Sequence, residues 1–107
     1  LTSSSDFVIG TNWREIGQRT TGVAAVATTV ATLTSSSYTG FMFVIGESGT
    51  AGFADVVAVI AATPTVISST TIYGSPGART YSNTGTAIKV SVASGTWTIN
   101  TKLDIAN

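Results

Sequence analysis

Five carboxylates, Asp6, Glu15, Glu47, Asp55 and Asp104, are the acids of this 107-residue sequence, which contains no His and no Cys. Without an imidazole or a thiol, Ser/His/Asp and Cys/His nucleophilic centres, tetrahedral zinc sites and iron–sulfur ligation are excluded. Paired acids could still cleave a glycosidic bond, and clustered acids could hold calcium. None of the five lies within a few residues of another, however, and no D-x-D-x-D spacing occurs. The pattern implies no catalytic residue, no metal and no cofactor. Glu47 and Asp104 read as solvated positions. Asp55 differs, because it interrupts the apolar run from Phe53 to Ala62 and, if buried, needs a partner such as Arg79 or a backbone donor.

A second group of residues could meet a sugar, whose apolar face stacks on an aromatic ring while its hydroxyls reach Arg, Asn or Asp. Tyr73, Arg79, Tyr81 and Asn83 surround the turn at Gly74-Ser75-Pro76-Gly77, and Trp13 sits beside Arg14 near the start. These five are the receptor- or glycan-binding candidates. The competing reading packs Tyr73 and Tyr81 at the rim of the core with their hydroxyls out. Trp97 shares a period-2 face with Ile99 and Leu103 and belongs to the core. The glycines at 46, 49 and 52 lack the G-x-G-x-x-G spacing, and no Lys-Ser or Lys-Thr pair closes a phosphate loop, so that segment reads as a hairpin loop.

The elements that must position these residues are strands. From Thr96 to Ala106, Trp97, Ile99, Thr101, Leu103 and Ile105 alternate with polar residues, and Ile88, Val90 and Val92 alternate just before them. Joined by Ala93-Ser94-Gly95, the two runs are expected to form an antiparallel hairpin. Ala78 to Ser82 and the β-branched run Val66 to Tyr73 supply two more strands. Tyr38 to Ile45 and Phe53 to Ala61 read as long apolar strands in a doubly covered centre of the sheet. Residues 23–33 have spacings that suit strand or helix; their Thr content and lack of charge favour strand. Residues 1–20 form an extended arm or the first strand. The expected architecture is a single all-β domain, an antiparallel β-sandwich or jelly roll of about seven to eight strands. Because the sequence starts at Leu1 and not Met, it is expected to be a fragment or processed piece of a longer chain.

Composition narrows the partners. Charged residues make up 9% of the chain, against about a quarter in ordinary domains, and the net charge is zero. Thr and Ser fill 33 positions, while 43% of residues are hydrophobic. So few charges on a domain of this size imply a surface partly covered by partners. A neutral chain has no electrostatic footprint for phosphate backbones, so no nucleic acid partner is expected. No apolar run approaches the roughly 18 residues of a membrane span, and no membrane insertion is expected.

From Tyr38 onward the chain resembles a β-sandwich module of tailed-bacteriophage virion structural proteins, particularly fibre and tail-associated proteins of marine phages. The shared order is the aromatic-led apolar strand Tyr38 to Ile45, and then the acid-bearing strand Asp55 to Ile60. A strand ending in Ile72-Tyr73-Gly74, a short Ser-containing strand and a final hairpin from Ala87 to Ile105 follow. Members of that group often carry basic residues after the leading Tyr, where this chain has Thr39, Gly40, Phe41 and Met42. The resemblance implies a non-enzymatic structural domain of the extracellular virion, in a tail fibre, spike or decoration. Its partners would be copies of itself, as a homotrimer, other virion proteins and a host-surface glycan. The alternative is a carbohydrate-binding module of a secreted enzyme or adhesin, which should expose a coplanar aromatic pair.

Overall fold

A computed structural model describes the backbone of residues 2–9 and residues 13–106 in full. Leu1 and the side chain of Asp6 lie outside the described residues. Nine strands are described: β1 (Thr2–Ile9), β2 (Trp13–Val23), β3 (Thr28–Thr32), β4 (Thr39–Glu47), β5 (Gly52–Ile60), β6 (Thr63–Tyr73), β7 (Arg79–Thr84), β8 (Ala87–Val92) and β9 (Trp97–Ala106). They form two antiparallel sheets, one of six strands in the order β1-β2-β9-β4-β5-β6 and one of three in the order β3-β8-β7. The chain is thus an all-β sandwich, as its composition and strand spacing imply. Within the stretch 1–20, the described residues lie in β1 and the first part of β2, and the stretch 23–33 holds β3 and no helix.

The core lies between the sheets and is built by period-2 alternation. Trp97, Ile99, Thr101, Leu103 and Ile105 point inward from β9, and Ile88, Val90 and Val92 point inward from β8. Met42, Val44, Phe53, Val57 and Val59 complete the layer from β4 and β5. Thr101 is a polar member of this face, and it is satisfied across the core because its hydroxyl donates to the Val30 carbonyl at 2.8 Å. That bond ties the centre of the large sheet to β3 of the small one.

Two expectations are corrected here. β8 and β9 do not pair as a hairpin, and neither does the wider segment from Ala87 to Ile105. β8 lies between β3 and β7, whereas β9 lies between β2 and β4. The Ala93 to Thr96 connection carries the chain from one sheet to the other, with the Trp97 indole donating back to the Ser94 carbonyl at 2.7 Å. Alternation says which residues share a face, and a hairpin and a sheet crossover impose the same alternation. Nor are β4 and β5 covered on both faces. On β4, Met42 and Val44 are buried while Phe41, Phe43 and Ile45 are exposed on the opposite face.

Tight backbone approaches hold the large sheet together. Gly40 lies on β4 between Ile105 of β9 and Val59 of β5. A Cβ at Gly40 would run into the Asp104 carbonyl and the Ile105 backbone. β5 and β6 are joined by Ala61-Ala62, both with positive φ, 51° and 63°, the handedness that suits a two-residue hairpin turn. The start of β4 clamps this turn, because Ala61 N–H donates to Thr39 Oγ1 and Ala62 N–H donates to the Tyr38 carbonyl, each at 3.2 Å. Gly40→Ala is expected to cost about 2 kcal/mol or more, since backbone on the neighbouring strand must move to admit the methyl group. Urea unfolding of the variant should show a lower midpoint at unchanged slope; an unchanged midpoint would refute the crowding.

Candidate binding face

Among the described residues, polar side chains gather in a buried cluster between the sheets and on the outer face of the large sheet. The buried cluster centres on Asp55, an inward-facing residue of β5 that is 2% exposed. Arg79 of β7 donates to it twice, from Nε to Oδ2 at 3.0 Å and from Nη2 to Oδ1 at 2.6 Å. Ser69 of β6 donates to Oδ1 and the Tyr81 hydroxyl of β7 donates to Oδ2, both at 2.6 Å. The guanidinium also donates to the Gly77 carbonyl at 2.9 Å and lies 4.1 Å from the centre of the Phe53 ring. Phe53 in turn packs on Trp97, with ring centres 5.1 Å apart.

Burial pushes the Asp55 carboxyl up, but hydrogen bonds from Arg79, Ser69 and Tyr81, with the guanidinium charge, bring it below its ordinary 3.8. The same bonds act on the donors. Tyr81 is raised by burial and by its bond to the carboxylate, and Arg79 is raised mainly by its bond to Asp55. The cluster is a closed set of satisfied partners, so it offers no open valence to a ligand.

The five candidate residues are therefore dispersed. Arg79 and Tyr81 are turned inward onto Asp55, and the Tyr81 hydroxyl is not at the surface. Asn83 is exposed and donates to the Gly85 carbonyl at 3.2 Å within its own turn. Trp13 and Tyr73 are open to solvent, 54% and 42% exposed. They lie at opposite ends of the large sheet, because Trp13 is level with Ala106 while Tyr73 is level with Gly52, Glu47 and Thr98.

The outer face of the large sheet divides along its strands. At one end, Phe41, Phe43 and Ile60 are 48%, 43% and 64% exposed, with the small residues of β5 between them. Beside them, Glu15 and Asp104 face each other across β2 and β9, and Lys102 bonds Glu15 at 2.9 Å. Lys102 holds the Glu15 carboxyl below its ordinary value, whereas partial burial and the bond with Glu15 raise Asp104. At the other end, strand register lines up Arg19, Asn100 and Ile45 in one row and Thr98, Glu47, Gly52 and Tyr73 in the next. Arg19, Ile45, Glu47, Thr98 and Asn100 line a cleft of about 340 Å³. Sequence reasoning missed this group, whose members come from three strands.

No family model matches the sequence, and no curated protein does. Among solved structures, the chain is similar to a tailspike protein, gp49 of Acinetobacter baumannii bacteriophage Fri1, described as a capsular polysaccharide depolymerase. The chain shares its fold with one section of that tailspike. The TM-score is 0.55 at 13% identity, and the match covers 97% of this chain and 19% of the tailspike chain. The chain thus spans about a fifth of the length of the protein it matches.

Asp55→Ala is expected to cost about 3–5 kcal/mol at neutral pH, since it strands the Arg79 charge between the sheets. The lowered carboxyl contributes stability above its unfolded value, near 3.8, and that contribution is lost as pH falls through the lower folded value. The gap between parent and variant should therefore narrow below about pH 4 in urea unfolding series; a gap constant with pH would contradict this role.

Proposed function

We propose that this chain is a non-enzymatic structural domain of a tailed-phage virion, part of a tail fibre, spike or decoration. In that reading it associates with copies of itself as a homotrimer, packs beside other virion proteins, and takes part in attachment to the host surface. The observation that carries the proposal is the exposed apolar end of the large sheet at Phe41, Phe43 and Ile60. At about 200 Å² for a whole side chain, these three open roughly 300 Å² of apolar surface in one area, and patches of that size on soluble proteins commonly bind partners.

A second copy fits this surface. With the same patch of three copies turned toward a common threefold axis, about 900 Å² of apolar area is removed from water, and the adjoining polar strips bring the buried total toward the 1,200 Å² or more of stable interfaces. That strip carries both signs, Glu15, Asp104 and Lys102, so a like strip from another copy finds opposite charges. The fold shared with a tailspike section and the low charge content agree with this reading.

A carbohydrate-binding module built on a coplanar aromatic pair is disfavoured, because the exposed rings of Trp13 and Tyr73 lie at opposite ends of the sheet. Light scattering across about a hundredfold range of concentration should give the mass of three chains. Phe43→Lys should move that mass toward one chain while the far-UV circular dichroism of the variant keeps the parent's β-sheet signature. A parent chain that remains single at the highest concentration would overturn the proposal.

A further inference from the structure

We infer that the cleft at the Tyr73 end of the large sheet is a saccharide-binding site that takes one or two uncharged pyranose units. This deepens the attachment half of the proposed function and is independent of the assembly half.

The argument starts from unused hydrogen-bonding capacity. Arg19 and Asn100 are directly cross-strand neighbours, and Ile45 follows in the same row. Among the described residues, the side chains of Arg19, Thr98 and Asn100 make no hydrogen bond, although each stands on a rigid strand of the large sheet. Glu47 accepts one bond, from the Tyr73 hydroxyl at 3.3 Å, which leaves carboxylate lone pairs facing the cleft. The arrangement offers a planar fork of donors, an amide that both donates and accepts, a hydroxyl and a carboxylate acceptor.

Adjacent hydroxyls on one ring match that set, since each is both donor and acceptor. Ile45, 60% exposed, supplies apolar contact in the cleft for the ring's C–H face. Tyr73 stands at the far end of the Glu47 row, its ring lying over Gly52, where any side chain would collide with it. The Tyr73 hydroxyl, which donates to Glu47, is raised by local burial and by the Glu47 carboxylate.

Other ligand classes fit less well. A phosphate or sulfate would meet a single cation with a carboxylate across from it, and a divalent cation would find one acid. An apolar ligand would strand four polar side chains. At about 340 Å³ the cleft is at the small end of the range for small-molecule sites, about 300–1,000 Å³, which suits one or two rings and not a long oligomer.

The test is a titration of the isotope-labelled chain with glucose, galactose, mannose and N-acetylglucosamine, each to about 20 mM, followed by amide NMR. Shifts confined to Arg19, Ile45, Glu47, Thr98 and Asn100 with at least one sugar are expected, with Trp13 unmoved. Asn100→Ala and Glu47→Gln should each weaken the response about tenfold or abolish it. The assignment is overturned if none of the four sugars moves these amides, if the shifts centre on Trp13, if the variants respond as the parent does, or if sodium sulfate alone reproduces the pattern. Light scattering on the same samples reads assembly separately. A trimer without sugar shifts sinks the cleft and leaves assembly standing, whereas shifts in a single chain do the reverse.

Discussion

The twofold hydrogen bond between Arg79 and Asp55 is the contact through which the two unequal sheets are aligned. Removing a carboxylate and a guanidinium from water costs several kcal/mol each, and their attraction offsets this only when geometry is good and the remaining polar atoms are satisfied. Here Ser69, Tyr81 and the Gly77 carbonyl complete the set, and no buried side-chain polar atom among the described residues lacks a partner. The net gain in stability is modest by that accounting; the gain in geometry is not. Two directed bonds to a planar fork, with the fork stacked on Phe53, are met at one placement of β7 against β5. Apolar contacts between Ile88, Val90, Val92 and the β9 side chains would tolerate a small slide.

Once that placement is set, the uneven sheet sizes decide what is exposed. Three strands cannot cover six. β6, at the edge, is open along nearly its whole length, with Val66, Ile67 and Ile72 substantially exposed. An uncovered strand is a template for pairing with another chain, and this one carries features that discourage it: Pro64 within it and register shifts against β5 at two points. The outer face of β4 has no such guard. The outward apolar residues there cannot be ascribed to core packing, because Met42 and Val44 already fill the inward positions. The same alternation that builds the core leaves Phe41 and Phe43 on the outer face of the sheet.

Much of this architecture was legible in the sequence, and the limits of that legibility have a physical cause. Strict alternation identified β8 and β9 and placed Trp97 in the core. Asp55 in an apolar run required a buried partner, and Arg79 is that partner. Alternation is silent about which strand lies alongside, so β8 and β9 read as a hairpin although they belong to different sheets. A run such as Phe41-Met42-Phe43-Val44-Ile45 reads as doubly covered because hydrophobicity alone cannot separate a face that meets the core from one that stays exposed. The candidate ligand residues are dispersed for a related reason: Tyr73, Arg79, Tyr81 and Asn83 are near in sequence around one turn, but Arg79 and Tyr81 alternate on the face of β7 turned onto Asp55, while Tyr73 lies over Gly52 of the large sheet and Asn83 is exposed near the end of β7. Arg19, Ile45 and Asn100 are distant in sequence and meet only through register, which is a property of three strands together.

The division of one sheet face into an apolar end and a polar end follows from β4 itself. Its outward positions run Phe41, Phe43, Ile45, Glu47, so polarity changes along the strand, and β9 runs antiparallel beside it with Asp104 and Lys102 at the apolar end and Asn100 and Thr98 at the other. A copy seated on Phe41 and Phe43 would meet charges able to pair across the contact, whereas the far end keeps neutral hydrogen-bonding groups together with Arg19 and Glu47. A shallow open cleft of that kind binds weakly by itself, because water competes for each of its polar groups. Linking several copies converts later contacts into intramolecular ones and raises the joint affinity without any new side chain. The cleft would bind without assembly, and copies gathered through the apolar end would only multiply its weak contacts until together they suffice.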